Sequence, residues 1–231
     1  MRKNIFFDLD STLLQMDQNE FINQYMYFLG LKIKEIGYDK EFIKDFLKAV
    51  YLTIENDGKK TNEELFWSLL ELKYPNIRQH EPFFNNFYQN EFKNIKAIVS
   101  KNSTTRLLID ALKKKNYNLI LATQPIFPLD ATLERMSWCE LTKDDFSFIT
   151  SYENSHYCKP HKKYYEEILD KLNLNPNECI MIGNDMDDDF KELPEGFDRI
   201  IILDYLMNNH NKAINFKKMY LNDLLTEVIN S

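Results

Sequence analysis

The sequence predicts an α/β protein with a parallel sheet, interrupted by a long helical insertion. Three observations support this. Four short apolar runs, each followed by turn or polar residues, read as buried strands: Ile5-Phe6-Phe7, Leu119 to Ala122, Cys179 to Ile182, and Ile200 to Leu203. Helical patterns separate them, such as Tyr165, Ile168, Leu169 and Leu172 at the spacing of one helix face. From about Met16 to Ile95 that alternation stops, and helical patterns follow one another with no convincing strand.

Taken in order, Ile5-Phe6-Phe7 is the first strand, and the insertion follows it. Asp17 with Glu20 resembles a capping box before Phe21, Ile22, Tyr25, Phe28 and Leu29. Asp39 is placed to cap a helix carrying Phe42, Ile43, Phe46, Leu47 and Val50. Thr61 and Glu64 form a second box before Leu65, Phe66, Leu69 and Leu70. Pro82 suits a first helical position ahead of Phe84, Phe87, Tyr88 and Phe92. The aromatic stripes read as the core of a helical bundle rather than as a substrate platform. Beyond the insertion, Phe146, Phe148 and Thr150 alternate and suggest a further strand. Strands alternating with helices give a parallel sheet, whose ligand site lies at the C-terminal strand ends.

The composition is that of a globular chain: 231 residues, 44% hydrophobic and 28% charged. No stretch approaches the roughly 18 apolar residues of a membrane span. The apolar run before Asp8 is only three residues long, Ile5 to Phe7, so no secretory leader is expected. Cys139, Cys158 and Cys179 are odd in number and lack a CxxC pair, which argues for reduced cytoplasmic thiols over a zinc site or disulfides. The net charge of −7 disfavours nucleic acid as a partner. Lys113, Lys114 and Lys115 follow an apolar-periodic segment and read as the end of a helix.

Four segments carry chemistry. In Phe6-Phe7-Asp8-Leu9-Asp10-Ser11-Thr12 an apolar strand runs into two carboxylates spaced by two, which in extended backbone flank one reacting centre. Thr123 closes the run 119–122, where a hydroxyl can donate to a phosphoryl oxygen. Lys159, before Pro160, can neutralise charge developing on a phosphoryl group. Gly183-Asn184-Asp185-Met186-Asp187-Asp188-Asp189 crowds four carboxylates into five residues at a strand end. Such crowding calls for a hard divalent cation, and Mg²⁺ keeps waters beside one or two carboxylates.

These segments together resemble the haloacid dehalogenase-like (HAD) hydrolases. Residues 8–12 are similar to the family's DxDxT motif, Thr123 and Lys159 to its second and third motifs, and 183–189 to its acidic fourth motif. The resemblance implies a Rossmann-like core, residues 1–14 and 97–231, with an α-helical cap from 15 to 96. It implies a Mg²⁺-dependent phosphatase acting on a small phosphorylated metabolite. Asp8 would be the nucleophile that becomes an aspartyl phosphate, and Asp10 would protonate the leaving oxygen and then deprotonate water. An acid at position 10 separates phosphatases and phosphomutases from the family's dehalogenases and P-type ATPases, which lack it. A phosphomutase and a binding protein without turnover are the alternatives.

The sequence departs from the family pattern twice. Ser11 stands where Gly is commoner, and the fourth motif begins Gly-Asn-Asp where Gly-Asp is usual. Mg²⁺ is expected on Asp8, the Asp10 carbonyl, and either Asn184 or Asp185. Position favours Asn184 and charge favours Asp185, which is the choice. Asp189 is expected near Lys159, with Asp187 and Asp188 solvated.

Overall fold

The fold follows from a computed structural model that describes residues 3–100, 103–209 and 216–230. Six parallel strands form one sheet in the order β3-β2-β1-β4-β5-β6. They are β1 (Asn4–Phe7), β2 (Asn118–Leu121), β3 (Phe148–Ile149), β4 (Cys179–Gly183), β5 (Asp198–Ile202) and β6 (Lys217–Met219). The four apolar runs are strands within a residue or two of their expected ends. The alternation at 146–150 shortens to Phe148–Ile149. The sequence reading missed β6, because Lys217-Lys218-Met219 has no apolar run; as an edge strand it needs none, and its two lysines stay exposed.

Helices cover both faces of the sheet. Successive side chains of a strand point to opposite faces, so Ile5 and Phe7 pack with Leu108 and Leu112 of α5 (Thr104–Lys114) and with Leu221 and Leu224 of α8 (Leu221–Asn230). Phe6 goes the other way, to Tyr164, Tyr165 and Ile168 of α7 (Lys162–Leu172). Lys113 and Lys114 fall in the last turn of α5, as expected. Cys139, Cys158 and Cys179 are buried and not joined in disulfides.

The insertion holds α1 (Gln18–Glu35), α2 (Lys40–Ile54), α3 (Asn62–Glu71) and α4 (Glu81–Gln89), then a 3₁₀ stretch, Glu91–Ile98. The Thr61–Glu64 capping box is complete. At Asp17 only half forms: its carboxylate accepts from the Glu20 amide. Pro82 is the second residue of α4, not the first, because a 3₁₀ turn (Ile77–His80) leads into the helix. The two connections to the sheet run side by side, since the Ser100 amide donates to the Gln15 carbonyl at 2.9 Å. A further tie is Asn62, fully buried, whose Nδ2 donates to the Pro125 carbonyl at 3.0 Å and reaches Cys158 Sγ at 3.3 Å. It pins α3 to the loops that carry Thr123 and Lys159. Among the described residues no helix is long and apolar enough to cross a membrane.

The remaining helix, α6 (Leu129–Trp138), packs on α4 and the Glu91–Ile98 stretch, and α5 is held to the turn before β3 by charge. Arg106 Nη1 and Lys113 Nζ meet the Asp145 carboxylate at 2.7 and 2.6 Å. Burial works against that carboxylate, but the two cations and the Thr142 amide win and hold it well below the usual range. Asp145→Asn should therefore cost about 2 kcal/mol at pH 7, the scale of hydrogen bonds to charged groups, as read by urea unfolding. A carboxyl whose folded pKa is depressed contributes stability above its unfolded value of about 3.9 and loses it as pH falls through the folded one. The gap between wild type and variant should thus shrink below about pH 4.

Candidate active site

Because β1 lies between β2 and β4, the chain leaving Phe7 emerges where the connections part to the two sides of the sheet, the usual place for a ligand in such folds. The Asp8 amide extends the ladder by one bond, to the Ile182 carbonyl at 2.9 Å. The backbone then turns sharply, with Ser11 at φ 63°, in the left-handed region that favours glycine. That explains why the related motif commonly has Gly here. Ser11 is held by its own hydroxyl, which donates to the Met16 carbonyl at 2.8 Å. Asp8 and Asp10 line one polar cavity with Thr123, Lys159, Asn184, Asp185, Asp188 and Asp189. All the expected site residues are brought together.

Lys159 is the hub. Its ammonium is buried and donates to Asp8 Oδ1 and to Asp189 Oδ1, each at 2.7 Å. Burial disfavours its charge, but the two facing carboxylates outweigh that and hold its pKa well above the usual lysine value. Its backbone is clamped by Gln124, which accepts from the Lys159 amide and donates to the Lys159 carbonyl, both at 3.0 Å. Thr123 Oγ1 is buried with no hydrogen-bond partner among the described residues. Its backbone is fixed, because its carbonyl accepts from Thr150 and Tyr164. An orphan hydroxyl beside a lysine is a ready donor to an anion's oxygen.

In the acidic loop the roles separate. Asn184 Oδ1 accepts from Thr12 Oγ1 at 2.9 Å, and its Nδ2 donates to the Tyr205 carbonyl. Asp185 Oδ1 accepts from the amides of Asp187 and Asp188, and Asn208 Nδ2 donates to both Asp185 oxygens. Asp185 thus caps its own turn, a competing use that sequence charge could not reveal. Asp188 is not solvated as expected: it lines the cavity and is only partly exposed. Burial, then repulsion from Asp185, pushes its pKa up to about 6. The approach of Asp189 depends on Gly183, where an added Cβ would lie 2.1 Å from Asp189 Oδ2.

Sequence reasoning missed Arg135. Fully buried on α6, it pairs through Nη1 with Asp10 Oδ2 and stacks 4.6 Å from the centre of the Phe127 ring. A signal existed, since Arg135 lies one turn after Ala131 on the buried face of α6, where a lone cation needs a partner. Asp10 Oδ1 stays buried without a partner. Burial raises the Asp10 pKa, with Arg135 opposing and Asp8 reinforcing.

Five carboxylates and one lysine line the cavity, and Arg135 neutralises one carboxylate from outside it. This surplus of negative charge, together with oxygen donors only, fits a hard divalent cation. Among the described residues no three His, Cys, Asp or Glu side chains converge as a metal cluster. A Mg²⁺ site with one or two carboxylates and waters requires none.

The pattern of the haloacid dehalogenase-like hydrolases matches residues 2–191, and the chain belongs to that family. No curated protein matches the sequence. Solved structures similar to it include the HAD-hydrolase YfnB from Bacillus subtilis bound to magnesium, 17% identical, with a TM-score of 0.56 and 98% of each chain covered. CbbY from Rhodobacter sphaeroides in complex with phosphate is 14% identical, with a TM-score of 0.60 over 97% of this chain and 96% of that one. A 2-haloacid dehalogenase from Pseudomonas syringae is 14% identical, with a TM-score of 0.62 over 100% and 99%. At such identities the likeness is one of fold.

Gly183→Ala should lower kcat by at least about tenfold while the protein stays folded, since displacing a positioned group by about 1 Å can cost a hundredfold. Steady-state kinetics with a thermal melt checks this. A wild-type kcat would show that Asp189 need not sit where it does.

Proposed function

We propose that this hydrolase is a Mg²⁺-dependent phosphomonoesterase working through an aspartyl phosphate on Asp8. The observation that carries the reading is the buried Lys159 ammonium bridging Asp8 and Asp189, beside two unpartnered groups, Thr123 Oγ1 and Asp10 Oδ1. Lys159 takes Oδ1 of Asp8, and no donor among the described residues reaches Oδ2. That oxygen is the nucleophile. It attacks phosphorus as the bond to the leaving oxygen breaks, and Asp10 delivers its proton to that oxygen. Burial raises the Asp10 pKa, and with Oδ2 held by Arg135 the unpartnered Oδ1 is the oxygen placed to carry the transferred proton. In the second step Asp10 takes a proton from water as it attacks the phosphoryl group, releasing phosphate and freeing Asp8. Lys159 and Thr123 hold the phosphoryl oxygens in both steps.

Asp8, the Asp10 carbonyl and Asn184 would hold Mg²⁺, with Asp185 and Asp188 adding charge nearby. The single hydrogen bond on Asn184 Oδ1, against four on the Asp185 carboxylate, favours the amide over the charge. When bound, the ion neutralises charge on the transferring group. Asp10 supports phosphatase over dehalogenase chemistry, because only the former has a leaving-group proton to manage. The helical insertion would act as the cap and choose the substrate.

Asp8→Asn should abolish phosphate release and leave the melting temperature within a few degrees, as should chelation of wild type, with restoration by Mg²⁺. Wild-type rates in Asp8→Asn would refute the nucleophile. Asp10→Asn should slow alkyl phosphates far more than aryl phosphates, whose leaving groups need no proton. Equal losses in pre-steady-state kinetics would remove the acid role.

A further inference from the structure

Beside the polar cavity lies a larger one of about 240 Å³. Asp10, Gln18, Gln124 and Asp188 line both, so the two adjoin and Asp10 stands where they meet. The rest of the larger cavity is walled by the insertion, by residues 126–128 and by Tyr152, with Phe21, Phe46, Phe66, Trp67, Phe84 and Phe127 among its surfaces. Among the described residues no Lys, Arg or His lines it. Arg135 reaches Phe127 and Phe21 but is absent from the lining and is already paired with Asp10. Among the tyrosines in the wall, Tyr25 and Tyr88 direct their hydroxyls at each other, 3.0 Å apart.

We propose that this cavity receives the leaving group of the substrate, which is the phosphomonoester of an uncharged, apolar, ring-bearing alcohol with no second phosphate or carboxylate. The proposal rests on the phosphatase reading of the adjoining polar cavity and narrows its substrate. Size fits: an apolar cavity of roughly 150 Å³ takes up benzene, so this one has room for one or two rings. Chemistry fits as well. A polyol would leave water for walls that are mostly aromatic and aliphatic. A second anion would be stripped of water without a cation to meet it, beside Asp10 and Asp188.

The test compares three alkyl monoesters with Mg²⁺ present: 2-(2-naphthyl)ethyl phosphate, glycerol 3-phosphate and fructose 1,6-bisphosphate. All have alkyl alcohols as leaving groups and need the same proton, so differences report the cavity rather than the chemistry. The naphthyl ester should show kcat/KM at least about tenfold above glycerol 3-phosphate, with the bisphosphate lowest. Val50→Phe adds bulk where the cavity is empty rather than into packed atoms, so it should fold. It should cost the naphthyl ester at least about fivefold and glycerol 3-phosphate less than about twofold.

If Val50→Phe does not fold, Leu47→Lys takes its place, because Leu47 is 45% exposed at the same cavity. That variant should raise the activity on the bisphosphate relative to the naphthyl ester, and an unchanged ratio would overturn the assignment. Mg²⁺-dependent hydrolysis with an equal or reversed order would overturn the substrate class and leave the phosphatase standing. If no ester is hydrolysed, the phosphatase reading falls, and titration of 2-(2-naphthyl)ethanol followed by tryptophan emission decides the cavity. Saturable binding that Val50→Phe removes supports an apolar occupant; no saturable binding overturns it.

Discussion

The site is organised by one buried ammonium. A lysine stripped of water is costly unless carboxylates meet it, and removing one partner of such a cluster leaves the others uncompensated. Lys159 meets two, and much of the surrounding structure serves to keep them there. Gln124 clamps its backbone, and the side-chain-free Gly183 lets Asp189 approach. Tyr165 donates to the Asp189 carbonyl at 2.8 Å, anchoring the acidic loop to α7. Fixing these groups beforehand is what electrostatic catalysis requires, because nothing then has to reorganise as charge develops.

Around that hub the space divides by polarity. On one side stand carboxylates, Lys159 and a free hydroxyl; on the other stand aromatic rings. Asp10 lies at the boundary, which suits a group that serves the oxygen joining phosphorus to the rest of a substrate. Arg135 sets how Asp10 behaves: it engages one oxygen and leaves the other buried and unpartnered, with a pKa that burial raises despite the cation. Asn62 and the Gln15–Ser100 contact hold the aromatic half of this space against the polar half.

Much of this was legible in the chain. The strands of the central sheet are apolar runs, because a parallel sheet covered on both faces admits little else. Asp8, Asp10, Thr123 and the 183–189 loop follow strand ends and Lys159 precedes α7, and the resemblance of these ordered segments to the family's motifs grouped them. The helices of the insertion announced themselves through Asp17, Asp39 and Thr61 at their caps. Where the reading failed, the signal was local but the cause was distant. β6 is an edge strand whose pairing with β5 depends on no pattern of its own.

The sequence by itself determined the sheet, the helical insertion and the set of charged residues at the strand ends, because hydrophobic period and strand-end chemistry are local properties. Only the tertiary structure decided how those residues divide their work. Asn208 lies 23 residues beyond Asp185 and helps turn that carboxylate into a cap, while Arg135 lies 125 residues beyond Asp10 and takes one of its oxygens. The aromatic stripes of the insertion are core by pattern, yet Phe46, Trp67 and Phe84 also wall a cavity. Helical period says which face of a helix is apolar. Whether that face meets another side chain or an open space depends on how the helices are set against one another, which no local pattern encodes.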